Sequence, residues 1–277
     1  MKQLRGFTLV EMIMVIVITG IIAGMVAVFI ATPVKGYVDT VRRAGLTDTA
    51  DLALKRMALE IRTAVPNSLI ASTSEIEFIP ARTGGRYCTD AEACPTTNGD
   101  LDFGASDAGG NSFDVLGPSV EVVANDWLVV YNTGQCIAAT CASAPALPCD
   151  GLNAYEGCNR RAVTTAAGTT SSLSFTSTDP PLTHASPSNR FQLVPTAGPV
   201  KFKCGTKELR RYTGYQWDHD ESDATMNSLL ADADALACTF TYNPLSATSA
   251  LLTMQITLTR EGESITLFSQ IHVDNMP

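Results

Sequence analysis

The sequence predicts an α+β fold: one long N-terminal α-helix, kinked near Pro33, packed on an antiparallel β-sheet head with long, disulfide-pinned loops. Three observations predict it. An uncharged apolar run extends from Met12 to Val34 and passes into a segment whose apolar residues recur at helical spacing. Beyond Pro66 the pattern changes to short β-type runs separated by Gly, Ser, Thr, Pro and Asn clusters. All eight cysteines fall in that second part.

The apolar run comes first. At ~1.5 Å per residue, Met12–Ala31 spans about 30 Å as a helix, the thickness of a bilayer core. Lys2 and Arg5 precede it, so the positive-inside rule keeps that end cytoplasmic and exports the remainder. The run is too long for the apolar core of a secretory signal, and no small-residue cleavage site follows it. It reads as a segment that is retained. Glu11 breaks the pattern, because a carboxylate at the centre of a span costs on the order of 2.5–3.5 kcal/mol even on lenient scales and calls for a partner. Cleavage after Gly6 would supply one: the new ammonium of Phe7, four residues away in the same chain or on a neighbour. Gly20, Gly24 and Pro33 are the positions that weaken the helix.

From Gly36 to Val65 a polar sequence carries an apolar stripe. Leu46, Ala50, Leu54, Met57, Ala58 and Ile61 mark one buried face, with Tyr37 and Val41 one step apart before it. Pro66 ends the run, which gives one helix over roughly 7–64. In the head, strands are predicted at Glu75–Ile79, Asp126–Tyr131, Ser172–Thr176, Arg190–Val194, Val200–Lys203 and Cys238–Tyr242, and a short helix at Ala224–Leu230. The clearest hairpin is the last. Leu252, Met254, Ile256 and Leu258 alternate with polar residues, Arg260–Glu263 supplies the turn, and Ile265, Leu267, Ile271 and Val273 line one face of the return strand. Gly84–Gly117 and Thr133–Arg160 read as long loops.

The 277 residues carry a net charge of −9, which argues against a nucleic-acid partner or binding to anionic lipid by bulk charge. The cysteines, Cys88, Cys94, Cys136, Cys141, Cys149, Cys158, Cys204 and Cys238, lie on the exported side, where disulfides are the default. Proximity favours Cys88–Cys94 and Cys204–Cys238. For the middle four, local pairing (Cys136–Cys141, Cys149–Cys158) competes with nested pairing. No C-x-x-C occurs and there are three histidines, so a zinc ribbon is unsupported and no metal is expected. The carboxylate-rich stretches Trp217–Asp223 and Asn98–Asp114 lack the ligand spacing of an EF-hand and read as solvated acidic loops. No G-x-S-x-G, Walker A or H-E-x-x-H motif is present, and His184, His219 and His272 have no visible nucleophile. Neither an enzyme nor a cofactor is expected.

The N-terminus, Gly6-Phe7-Thr8-Leu9-Val10-Glu11 ahead of a long apolar helix, resembles the class III signal of type IV pilins and type II secretion pseudopilins. The resemblance implies a prepilin leader at 1–6, cut between Gly6 and Phe7 by a prepilin peptidase. It implies N-methylation of Phe7 and an assembly role for Glu11. It further implies a filament-core helix at 7–35, a head-packed helix at 36–65 and a β-rich head at 66–277. The precursor would cross the inner membrane once with a periplasmic head, meet the assembly platform, and join other major and minor pilins at the cell surface. In the C-terminal third, Phe202-Lys203-Cys204-Gly205, Leu209-Arg210-Arg211-Tyr212 and Ile271-His272-Val273-Asp274-Asn275 are similar to minor pilins of the mannose-sensitive haemagglutinin (MSHA) pilus. Val38-Asp39 and Arg62–Ser68 fit the same likeness. J-type minor pseudopilins and tip adhesins are the alternatives.

Overall fold

The computed structural model describes residues 7–89, 94, 99–103, 111–135, 152–176 and 182–277. Helix α1 spans Leu9–Ile61, 53 residues, or about 80 Å. Thr8 is extended and caps it, its Oγ1 accepting from the Glu11 N–H at 3.3 Å. Pro33 lies inside the helix. At the other end, Arg62 and Ala64 donate back to Ala58 and Ile61, and Pro66, with no N–H, continues nothing. The observed ends fall within the usual fraying of the expected 7–64.

The strands are β1 (Ile70–Ala71), β2 (Glu75–Phe78), β3 (Thr83–Tyr87), β4 (Ser112–Leu116), β5 (Val120–Val122), β6 (Trp127–Val130), β7 (Arg160–Ala162) and β8 (Gly168–Thr170). There follow β9 (Ser172–Ser174), β10 (Arg190–Val194), β11 (Val200–Cys204), β12 (Glu208–Thr213), β13 (Met226–Asp232), β14 (Ala235–Ser246), β15 (Ser249–Arg260) and β16 (Glu263–Asp274). Every ladder among the described residues is antiparallel. The sheet orders are β1-β2-β11-β12-β13, β7-β6-β10-β3-β4-β9, β14-β15-β16, and the pair β5-β8.

The main core lies where α1 meets the first and third of these sheets. Leu46, Ala50, Leu54, Met57 and Ile61 face the inward residues of β15, namely Ala250, Leu252, Met254, Ile256 and Leu258, all fully buried. Ile76, Phe78, Val200 and Phe202 close the same core from the other sheet, with Phe78 and Phe202 rings 5.9 Å apart. A second core, around Tyr87, Phe113, Phe191 and Leu193, belongs to the six-stranded sheet. Disulfides join Cys88 to Cys94 and Cys204 to Cys238, the latter tying β11 to β14. Closing a loop of 34 residues is worth roughly 3–4 kcal/mol against the unfolded chain. Cys158 is also disulfide-bonded; Cys136, Cys141 and Cys149 lie outside the described residues.

Helix and return strand run side by side in one direction. Arg42 pairs with Glu261 in the β15–β16 turn, and Arg43 with Glu263 at 3.3 Å. Nineteen residues later, Ile61 and Arg62 lie beside His272 and Val273. The rise of a helix over that interval, about 29 Å, nearly equals the rise of the strand from Glu263 to Val273, about 33 Å.

Three expectations need correction. Ala224–Leu230 is not a helix: Met226–Asp232 is β13, paired along β12 from Thr213 to Glu208. An open strand edge offering backbone partners outweighs the weak helix preference of Asn227 and Ser228. Gly84–Gly117 is not one loop, since β3 and β4 lie inside it. Its glycines disguise β3 and are required there, because a Cβ on Gly84 would sit 2.6 Å from the Phe191 carbonyl oxygen on β10. The two acidic stretches are less solvated than expected: Trp217–Asp223 is only partly so, as described below, and Asp114, at the end of Asn98–Asp114, is fully buried in β4.

Met57→Ala should destabilise the protein by about 2–5 kcal/mol in a urea titration. Leu59→Ala, two residues on but 65% exposed, should change it by less than about 0.5 kcal/mol. Equal losses would dispose of the one-sided stripe.

Candidate functional site

Among the described residues, no apolar face of the head covers the first half of α1. Sixteen large apolar side chains between Leu9 and Ile30 are exposed, on every side of the helix. Each is worth about 1.5–3 kcal/mol once removed from water. Together that is roughly 25–50 kcal/mol, several times the stability of a whole domain. A helix apolar all round belongs in lipid or among other helices. It is long and apolar enough to cross a membrane.

The predicted signal residues gather at its tip. Phe7 is 82% exposed and stands just before the cap, and Glu11 lies in the first turn. Glu11 is the acidic residue of that turn, where the helix dipole favours a carboxylate. Gly6 lies outside the described residues. A chain end at Phe7 would therefore stand within one helical turn of Glu11.

In the head, two stretches far apart in the sequence meet. Arg62–Ser68 leaves the helix beside Ile271–Asn275. Asn67 donates to the Asn132 and Asn275 carbonyls at 3.0 and 3.1 Å, and its N–H reaches Asn275 Oδ1 at 3.2 Å. Asn132 donates to the Pro66 carbonyl at 2.7 Å and accepts from Ala154. The positive φ of Asn67 lets the chain turn there.

A charged seam lies on the other face of β2 and β11. Glu77 and Lys201, cross-strand neighbours, are each 5% exposed. Lys201 reaches Glu221 at 2.7 Å and Glu77 at 3.6 Å, and donates to the His219 carbonyl. Lys203 pairs with Glu221 and with Glu75. Tyr215 donates to Glu77 Oε1 at 3.1 Å, and His219 Nδ1 lies 3.1 Å from the same oxygen. The Tyr155 ring packs 4.5 Å from His219, and Arg160 sits 3.8 Å over Trp217. So Trp217–Asp223, expected in solvent, is in part clamped to the sheet, through His219 and Glu221. Alternation places Glu77 and Lys201 on the outward face but carries no sign that this face is covered, so sequence reasoning misses the seam. Its groups are held for structure: burial and the Glu77 charge push the Tyr215 hydroxyl far up. Burial and nearby Arg161 pull Arg160 down to about 9.

Burial alone would raise Glu221; hydrogen bonds from Lys201 and Lys203 overcome it and hold the carboxyl at about 2, against an ordinary 4.5. Among the described residues no group of His, Cys, Asp and Glu could hold a metal ion.

Residues 1–27 match the family model described as the prokaryotic N-terminal methylation motif. No curated protein and no solved structure matches the chain. The match supports a pilin-like or pseudopilin precursor, and the long helix with its antiparallel head is a pilin-like architecture.

A carboxyl held below its ordinary value binds fewer protons folded than unfolded. The stability from Glu221 is therefore whole above pH 4.5 and is lost as pH falls towards 2. Glu221→Gln should flatten that part of the stability-against-pH curve measured by thermal melting. An unchanged acid limb would remove Glu221 from the clamp.

Proposed function

We propose that the chain is a minor type IV pilin of the MSHA system, of the MshO type. It is made as a single-pass inner-membrane precursor with residues 1–6 as leader and residues 66–277 as a periplasmic head. Prepilin peptidase cuts between Gly6 and Phe7 and Phe7 is N-methylated. Segment 7–35 then leaves the lipid for a bundle of pilin helices at the assembly platform, and segment 36–65 carries the head. The subunit primes or caps the pilus.

The observation that carries this reading is the methylation motif at 1–27 fused to a helix half whose large apolar side chains are exposed among the described residues. Transfer from lipid to a helix bundle exchanges one apolar environment for another, so apolar burial alone does not drive it. The Phe7 ammonium and the Glu11 carboxylate of neighbouring subunits add a charge pair that lipid cannot supply, which favours the bundle and sets axial register. Size and a cysteine-rich head favour a minor rather than a major subunit. The same signal serves J-type pseudopilins of type II secretion. The two part in where the mature protein is found: in sheared filaments for a pilin, with a secretion machine for a pseudopilin.

Intact-mass analysis of the mature protein should show loss of residues 1–6 and gain of one methyl; a chain still starting at Met1 would falsify the processing. Glu11→Ala should insert and be cleaved, yet its level in sheared filaments should fall by at least about tenfold. Normal incorporation would take Glu11 out of assembly.

A further inference from the structure

Among the described residues, every sheet edge but one is blunted. β1, β5, β7, β8 and β9 are two or three residues long. β13 is paired across a register shift at Leu209/Arg210, and β14 carries Pro244 beside a second shift. Short, bulged or proline-bearing edges accept further strands poorly. β16, the outer strand of β14-β15-β16, has none of these devices. Its 12 residues, Glu263–Asp274, run in unbroken register with β15 and include no proline or lysine. The two-residue turn at Glu261 and Gly262, with φ of 50° and 85°, makes Arg260 and Glu263 a hydrogen-bonded pair. Alternation from there turns the backbone N–H and C=O groups of Ser264, Thr266, Phe268, Gln270 and His272 away from β15. Among the described residues those backbone groups have no partner. A groove of about 480 Å³ runs beside this edge, walled by α1 and β16. Its apolar lining comes from Leu54, Ala58, Leu59 and Leu267. Lys55 in its wall is paired with Asp51 at 2.6 Å, whereas Arg62 makes no ion pair among the described residues.

A row of N–H and C=O groups along one line is met in full only by another extended backbone. We propose that this groove takes an extended segment of a different polypeptide, added antiparallel to β16 as a fourth strand of the β14-β15-β16 sheet. Side chains of the added strand that point to the helix side are apolar and lie on Leu54, Ala58, Leu59 and Leu267. Arg62 lies at the His272 end of β16, where an antiparallel strand begins, so a carboxylate near the N-terminal end of the segment meets it. A second copy of this chain does not fit. α1 and β16 run in one direction, so antiparallel pairing of two β16 edges points the two apolar helix halves opposite ways. One membrane or one helix bundle cannot take both. That exclusion rests on the membrane-anchored reading above, while the groove does not, and binding is read on unassembled protein.

The test is a fluorescence-polarisation titration of the full-length chain, in neutral detergent, with a labelled peptide of one glutamate followed by four Val-Thr repeats. It should bind saturably, with a Kd of roughly 0.1 mM. With valines on the helix side, the threonine amides face β16 and the valine amides face away. N-methylation of the threonine amides should therefore weaken binding by at least about tenfold, and N-methylation of the valine amides by less than about threefold. The two methylated peptides are equally apolar, so uptake by detergent affects them alike. Gln270→Pro, which removes one outward N–H at an edge that tolerates proline, should weaken the unmodified peptide by about fivefold. Arg62→Ala should weaken it by about fivefold too, and should leave unchanged the affinity of a peptide with glutamine in place of the glutamate. No saturable binding, or equal weakening by the two methylation patterns, overturns strand addition; that comparison leaves the protein untouched and holds whether or not Gln270→Pro folds. An Arg62→Ala variant that binds the glutamate peptide as tightly as the parent overturns the acidic end of the segment. A dimer in detergent-matched sedimentation without peptide, lost in Gln270→Pro, overturns the foreign strand in favour of a second copy.

Discussion

The packing of Leu46, Ala50, Leu54, Met57 and Ile61 against the inward residues of β15 is the contact on which the head is built. Two sheets share that helical stripe, so the helix is the common wall of the main core rather than an appendage to it. The stripe begins only at Leu46. Before it, α1 remains helical, and among the described residues its apolar surface is left exposed on all sides. One continuous helix thus answers to two environments. The residues that mark the change are Arg42 and Arg43, where the first ion pairs to the head appear.

Covalent and polar ties add to the apolar cores of the head. Cys204–Cys238 joins β11 to β14. The seam of Glu77, Lys201, Lys203 and Glu221 fastens the 215–221 segment across the outer face of β2 and β11. Buried ion pairs add little net stability over apolar packing, because desolvation offsets their attraction. Their effect here is to fix one register: Lys201 satisfies Glu77, Glu221 and the His219 carbonyl at once only when the segment lies in this one position.

What the sequence discloses follows from period and composition. The helical stripe and the final hairpin are legible because Leu252, Met254, Ile256 and Leu258 alternate without interruption over a full strand, and the helix repeats just as plainly. β3 is hidden by Gly84 and Gly85, which serve a close approach of backbone that no local signal announces. β13 reads as helical because its neighbour β12, not its own residues, decides its state. The signal at Phe7 and Glu11 is legible in full, since its elements lie within one turn. The groove between α1 and β16 is not, because its walls are far apart in the chain and meet only through packing.

The parallel run of α1 and β16 has a mechanical consequence. A tug along the first half of the helix is passed to the head along the strand axis, through the Arg42 and Arg43 pairs and then the whole line of contact down to Ile61. Such a load slides two long elements past one another, so the contacts share the force and must yield together instead of peeling apart singly. The hairpin tip, anchored at Glu261 and Glu263, is the point at which tension first enters the globular part of the molecule.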